Sequence, residues 1–330
     1  MQAVMLTRKG GPEVLELVEL PIPEPGPGEV RVRVRATGVG ATDITMRRST
    51  YPYAPPIPFV PGYESVGIVD AVGPGVTTLK QGDRVCALLV HGGYATHVVR
   101  GAEHWIRVPD GIDDVMAVAL ILNYVSAYQM IHRVAKLAPG QSALVNAANG
   151  GVGQALLDLL RALGVQTIGA AAAARHDIVR VYGATPIEGR TAPLDTGVRA
   201  VLPGGVDAAF DGVGGVQTSQ CVAATVRGGR TVWYGFVGVN GLSGLARSAL
   251  QVFVNARLLG RRGAFYGITQ RYRQDPRPFR EDLPRLFALL AAGKIKPRIA
   301  QTLPLLEARA ANERLEAGAI EGKLVLVASG

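Results

Sequence analysis

One stretch limits the fold more than any other. Ala143-Leu144-Val145-Asn146 is short and apolar, as a buried strand is, and it breaks at Ala147-Ala148-Asn149-Gly150-Gly151-Val152-Gly153. A helical segment, Ala155-Leu156-Leu157-Asp158-Leu159-Leu160-Arg161-Ala162-Leu163, follows at once. Strand, glycine turn and helix in that order suit a dinucleotide pyrophosphate. Small residues let backbone approach the phosphates, and a helix N-terminus offers free N–H groups and the positive end of its dipole. The fingerprint G-x-G-x-x-G is met by Ala148, Asn149, Gly150, Gly151, Val152 and Gly153, with Ala148 in the first glycine's place. A tight turn with no ligand would use the same letters; the strand before it and the helix after it favour the nucleotide.

A chain of 330 residues is long for one core and predicts two domains. Up to about residue 120 it reads as β-rich. Val30, Val32 and Val34 alternate with Arg31, Arg33 and Arg35, as on a half-buried strand, and proline and glycine breaks recur from Pro21 to Gly75. Short strands with frequent turns predict a barrel-like β domain. From about residue 122 strands and helices alternate, which predicts a parallel sheet with crossover helices. Its candidate strands are 143–146, 166–170, 206–210 and 231–234. A helix over 280–292 and a strand over 323–327 close the chain.

Hydrophobic residues make up 48% and charged residues 18%, a globular composition rather than a disordered one. Cys86 and Cys221 are the only cysteines, which excludes a disulfide framework and a four-cysteine zinc site, and fits a reducing compartment. The first residues lack the regions of a signal peptide, and no apolar run reads as both long and unbroken enough to span a bilayer, so a cytoplasmic protein with no membrane partner is expected. The net charge of +9 suits nucleic acid, or a phosphorylated cofactor and anionic substrates. The arginines are scattered without interleaved aromatics, and the densest run, Arg257 to Arg280, reads as a solvated surface. Nucleic acid is therefore not the expected partner.

The choice of cofactor rests on a missing acid. An NAD enzyme places Asp or Glu about 20 residues past the glycines to hold the ribose 2′-hydroxyl. Here Gln166-Thr167-Ile168-Gly169 runs into five alanines and then Arg175-His176. Arg175 is the first charge, and a guanidinium fits a phosphate as a fork. This predicts NADPH, with Arg175 and, more weakly, His176 at the 2′-phosphate. Two further turns end buried strands: Asp211-Gly212-Val213-Gly214-Gly215 and Gly235-Phe236-Val237-Gly238. Ligands of open parallel sheets sit beyond the strand C-termini, so Asp211, Val213, Gly235 and Phe236 are candidates beside the nicotinamide.

By these residues the chain resembles the medium-chain dehydrogenase/reductase superfamily, most of all its zinc-free quinone oxidoreductase (zeta-crystallin-like) branch. The resemblance runs in order through Glu24-Pro25-Gly26-Pro27-Gly28-Glu29-Val30, Pro61-Gly62-Tyr63-Glu64-Ser65-Val66-Gly67, Gly82-Asp83-Arg84-Val85, Gly92-Gly93-Tyr94-Ala95, the glycine turn, Gly293-Lys294-Ile295-Lys296-Pro297 and Gly322-Lys323-Leu324. It implies an α/β protein: a GroES-like β-barrel domain over 1–121 and 273–330, and a doubly wound Rossmann domain over 122–272 that binds NADP(H). An NADPH cleft between the domains and a homodimer are also implied, the latter through the Rossmann strand after Gly229-Arg230-Thr231-Val232-Trp233-Tyr234.

The departures from that pattern direct the chemistry. Where zinc alcohol dehydrogenases of the superfamily carry His and Cys ligands, this chain has Tyr63 and Gly40. Neither supplies a zinc donor of the usual kind, so no metal site is expected. Without a Lewis acid for an alkoxide, the resemblance implies zinc-independent reduction of quinones or α,β-unsaturated carbonyls by hydride from NADPH. Tyr51 matches a recurrent active-site tyrosine, and Tyr63 fills the vacated ligand place. Either phenol could hydrogen-bond a developing enolate, while solvent is the other proton source. Ser126 matches a small hydroxyl residue near the nicotinamide. A stand-alone enoyl reductase for an acyl or polyketide thioester remains open. So does a non-catalytic, nucleic-acid-binding protein regulated by NADPH.

Overall fold

A computed structural model of the chain describes residues 1–239, 241–318 and 320–328. Its strands, in chain order, are β1 (Gln2–Leu6), β2 (Leu15–Glu19), β3 (Glu29–Val39), β4 (Glu64–Val72), β5 (Arg84–Leu88), β6 (His97–Gly101) and β7 (Ile106–Arg107). Then come β8 (Ser142–Asn146), β9 (Gln166–Ala171), β10 (Thr185–Glu188), β11 (Val206–Asp211), β12 (Thr225–Trp233) and β13 (Arg262–Phe265), and last β14 (Ile299–Pro304) and β15 (Lys323–Val327). They form two compact units. The first holds Met1–Leu122, Phe279–Gly293 and the chain from Pro297 onward; the second holds Asn123–Pro278 and Lys294–Lys296. The stretch 273–278 therefore packs with the second unit, continuing from helix Ile268–Gln274. Residues 329 and 330, which close the range expected of the first domain, lie outside the described residues.

In the first unit, β14-β15-β3-β4-β5-β7 make one sheet, with β6 also paired to β3. The valine–arginine alternation of β3 buries Val30, Val32 and Val34 and leaves Arg33 and Arg35 exposed. Two register shifts between β3 and β4 bend the pair, as a barrel-like sheet requires. β15 returns antiparallel to β3, so the chain's end completes the sheet begun at its start. A separate hairpin-like pair, β1 and β2, runs antiparallel beside it in sequence.

The second unit has six strands in the order β10-β9-β8-β11-β12-β13, every pair parallel. This is the doubly wound order, and its direction of progress reverses between β8 and β11. The core under the sheet is Leu144, Ile168, Ile187, Leu194, Val198, Val206 and Ala209 with their neighbours, the aliphatic side chains that a sheet covered by helices buries. β12 starts at Thr225, six residues before the expected 231, because Arg227-Gly228-Gly229-Arg230 continues the strand through a register shift instead of ending it.

Asp114–Ala135 corrects one expectation. It is a continuous helical run, apolar and long enough by composition to cross a bilayer, with 72% of its apolar window buried in the protein. Asn123, Ser126, Gln129 and His132 break the apolar run in the letters but not the helix. Burial marks it as a core helix. Two π-helical turns, Leu120–Tyr124 and Gln129–Ala135, interrupt its ladder, a feature that recurs at functional sites.

Candidate cofactor and substrate sites

The glycine turn folds as its composition demands. Ala147 takes a left-handed φ of 61°, and Gly150 N–H closes the turn onto Ala147 O at 3.0 Å. The helix expected from Ala155 starts at Gly151 and ends at Leu163, so the glycines lie in its first turn, where N–H groups have no intrahelical acceptor. Gly153 is fixed by volume: a Cβ there would lie 2.2 Å from Ala147 O and 2.9 Å from Ala148. A Cβ on Gly151 would meet the Asn123 amide at 2.7 Å. Gln154 donates to Asn149 O at 2.8 Å and holds the loop's crest. Gly151, Val152 and Gly153 thus lie in the helix's first turn, where backbone N–H groups lack intrahelical acceptors, with Asn149 and Gly150 leading into it. Ala148 is buried beneath it, with its N–H on Ala170 O of β9 at 3.0 Å.

β8 and β11 end side by side at the reversal point. Asn146 pairs with Asp211 in register, and its Nδ2 donates to Asp211 Oδ1 at 3.0 Å. Asp211 also accepts from Val213 N–H and Gly214 N–H, both at 3.0 Å, and from Thr218 Oγ1 at 2.7 Å. This corrects its expected role. A fully buried carboxylate with four protein donors shapes the turn that carries Val213 and is not presented to a ligand. Gly235 packs on that turn; a Cβ there would sit 1.9 Å from Gly212 O. Phe236 is half-exposed beside it, edge-on to Trp233 with ring centroids 5.0 Å apart.

At the end of β9, Arg175 closes the short turn Ala173–Arg175 and is partly exposed. His176 opens the next helix with Nε2 3.2 Å from both Ala171 O and Ile187 O, which ties β9 to β10 and leaves only Nδ1 for any ligand. Sequence reasoning missed two residues here. Asn123, quoted only as part of a motif, touches the glycine turn. Glu188, at the end of β10, sends its carboxylate to Ala173 N–H at 3.1 Å. Ser126 is 5% exposed, on the helical turn Val125–Tyr128 between the two π-turns.

In the first unit, Tyr51 and Tyr63 share a hydroxyl–hydroxyl hydrogen bond of 2.6 Å, and their rings meet edge-on at 6.0 Å. Tyr63 is buried and Tyr51 is partly exposed. The same unit holds a buried charge cluster. Lys323 Nζ pairs with Glu64 Oε1, while Glu64 Oε2 accepts the Leu122 N–H at 2.7 Å, inside the first π-turn. Asp43 accepts from Gly40 N–H at 2.8 Å; burial pushes its carboxyl up to about 6 against the pull of that N–H and of Lys323. Among the described residues no group of three or more His, Cys, Asp or Glu side chains could hold a metal ion. Tyr63 and Glu64 are both engaged by protein partners, so these residues do not fit a zinc ion.

Residues 26–113 match the family described as alcohol dehydrogenase GroES-like domain, and residues 182–326 match that described as zinc-binding dehydrogenase. The mouse synaptic vesicle membrane protein VAT-1 homolog is 33% identical over 300 residues, covering 88% of this chain and 74% of that protein. Human quinone oxidoreductase is 28% identical, over 99% of this chain and 98% of its own. A mycobacterial protein complexed with NADPH superposes with a TM-score of 0.87 at 28% identity, over 99% of this chain and 100% of that one. The chain belongs to the medium-chain dehydrogenase/reductase superfamily of oxidoreductases, in its zinc-free quinone oxidoreductase branch.

Proposed function

We propose that the chain reduces quinones or α,β-unsaturated carbonyls with NADPH and without zinc. The observation that carries this is the edge of the parallel sheet. The turns after β8 and β11 flank the reversal point, the turn after β12 packs on the second of them, and a guanidinium rather than an acid follows β9 along the chain. Asn149 to Gly153 would hold the pyrophosphate, Arg175 the 2′-phosphate, and Val213, Gly235, Phe236 and Ser126 the nicotinamide end. The chemistry supplied by bound NADPH is a hydride for the electrophilic carbon of a conjugated acceptor. Tyr51 and Tyr63 serve the other half of the reaction, since a phenol already in a short hydrogen bond can donate to a carbonyl oxygen as charge develops on it.

The test is oxidation of NADPH and NADH against quinones, enones and enoyl thioesters, with and without a chelator. Chelator-resistant turnover of quinones or enones that falls in Arg175→Asp supports the proposal. Turnover of thioesters alone reassigns the chain to enoyl reduction, and tight NADPH binding without turnover makes it a binding protein.

We also propose a homodimer. β13 is one of the sheet's two edge strands, and the preceding segment exposes Leu242 (85%), Phe253 (51%) and Leu258 (79%), more apolar surface than a solvated helix carries. Light scattering at the mass of one chain would refute it.

A further inference from the structure

The letters of β9 lack the acid expected at its end, yet the fold supplies one there from the next strand. β10 runs parallel to β9, and the register sets Glu188 beside Ala171, the last residue of β9. Parallel strands end at one edge of the sheet, so Glu188 reaches the loop where a ribose-binding acid would stand. Its side chain turns into that loop. One oxygen accepts from Ala173 N–H at 3.1 Å, and the other from Arg190 N–H at 2.7 Å and Thr191 N–H at 3.4 Å. These backbone donors, Arg190's foremost, hold the carboxyl below its ordinary value, so it is anionic at neutral pH. Arg175 lies two residues beyond Ala173, in the same short turn. An arginine and a held carboxylate therefore share one loop.

We propose that Glu188 sets the choice between NADPH and NADH: its carboxylate accepts the adenosine ribose 2′-hydroxyl of NADH and opposes the 2′-phosphate of NADPH, so both nucleotides bind and the preference is the balance of Arg175 against Glu188. This rests on the assignment of Arg175 to the 2′-phosphate. The chemistry of the two ends differs in kind. A 2′-phosphate needs cations and N–H donors, and Glu188 both repels it and occupies the Ala173 N–H. A 2′-hydroxyl needs an acceptor, and in this loop the carboxylate is that acceptor. The site is solvated, so the like-charge penalty is several-fold rather than absolute, and salt weakens it.

The experiment uses the adenosine end alone. Adenosine 2′,5′-bisphosphate and 5′-AMP are titrated calorimetrically into wild type, Glu188→Gln, Glu188→Asp, Arg175→Ala and the Glu188→Gln/Arg175→Ala double variant, with thermal melts as the control for folding. NADPH and NADH follow on the same proteins. Glu188→Gln should raise the preference for the bisphosphate by about tenfold at low salt, with the gain shrinking as salt rises. Glu188→Asp, a shorter carboxylate, should weaken 5′-AMP while keeping the repulsion. Arg175→Ala should lower the preference. If Arg175→Ala lowers it and Glu188→Gln leaves it unchanged, the role of Glu188 is overturned. If Glu188→Gln raises it and Arg175→Ala does nothing, Glu188 stands and the assignment of Arg175 falls. If neither moves it, both are wrong.

Discussion

The edge of the parallel sheet and the polar interior of the first unit hold polar groups by opposite means. In the glycine turns at the sheet edge most donors are backbone N–H groups, with Asn146 and Thr218 side chains adding to those on Asp211, and the positions that matter are the ones without a Cβ: Gly153 against Ala147 O, and Gly235 against Gly212 O. In the first unit the same task falls to long side chains. Lys323 meets Glu64, and Arg47, fully buried, donates to Asn312 from 265 residues away in sequence. A site built from backbone fails when volume is added and is indifferent to pH. A site built from buried charge fails when one charge is removed and responds to protons.

The sharpest way to break this comparison is to unpair the buried ions. Lys323→Met leaves the fully buried Glu64 carboxyl without its ion-pair partner, and should lower the unfolding free energy by about 3–5 kcal/mol in chemical denaturation. The Glu64→Gln/Lys323→Met double variant should recover a large part of that. Equal losses in the single and the double variant would show that packing, not charge, is what Lys323 supplies.

A slightly smaller effect is expected from Asp43, and it has a sign. The folded carboxyl titrates at about 6, above the unfolded value of 3.8, so the native state binds the proton more tightly. The stability contributed by this group is complete below about pH 4 and is lost as pH rises through 6. Asp43→Asn does not titrate. It should therefore gain on wild type between pH 4 and pH 7 by up to about 3 kcal/mol, followed by denaturant unfolding across that range. A gap that stays constant with pH would remove Asp43 from the charge cluster's energetics.

The sheet edge should behave in the contrary way. Gly235→Ala forces a Cβ onto Gly212 O and should destabilise by about 1–3 kcal/mol, equally at pH 4.5 and pH 7, and weaken NADPH binding with it. Gly204→Ala, with nothing within 4 Å of its Cβ, is the neutral control. Loss in both would mean that helix and loop entropy, not close packing, governs these glycines.

This contrast is also why the sequence was readable in one region and not in the other. A backbone cradle must show its glycines in order, and Gly150, Gly151 and Gly153 do so after a strand and before a helix. Four of the second unit's strands, β8, β9, β11 and β12, are visible for the same reason: each carries an apolar run that ends at a turn, whereas β10 (Thr185–Glu188) and β13 (Arg262–Phe265) are short and mixed and show no such run. β12 was cut short because Arg227-Gly228-Gly229-Arg230 has the letters of a turn, and only pairing to β11 shows the strand running through it. Asp211 looked like a ligand contact because it ends a strand, and its donors, on its own turn and on Thr218, become evident only in three dimensions. Glu188 was invisible because the rule for a ribose-binding acid looks along β9, and the acid comes from β10. Lys323 and Glu64 lie too far apart in sequence for any local pattern to join them.

The smallest effect tests whether the Tyr51–Tyr63 pair belongs with the side-chain sites. Tyr51→Phe removes one hydroxyl from a 2.6 Å hydrogen bond and should lower stability by only about 0.5–1.5 kcal/mol. If the pair serves substrate, turnover should fall by about 100-fold while the NADPH dissociation constant is unchanged, because the lost donor acts on the acceptor's oxygen. Tyr63→Phe should match it in turnover if the two hydroxyls work as one donor chain, and the double variant should then be no worse than either single one. A drop in stability with turnover unchanged would make the pair a packing feature of the first unit, and would leave solvent as the proton source.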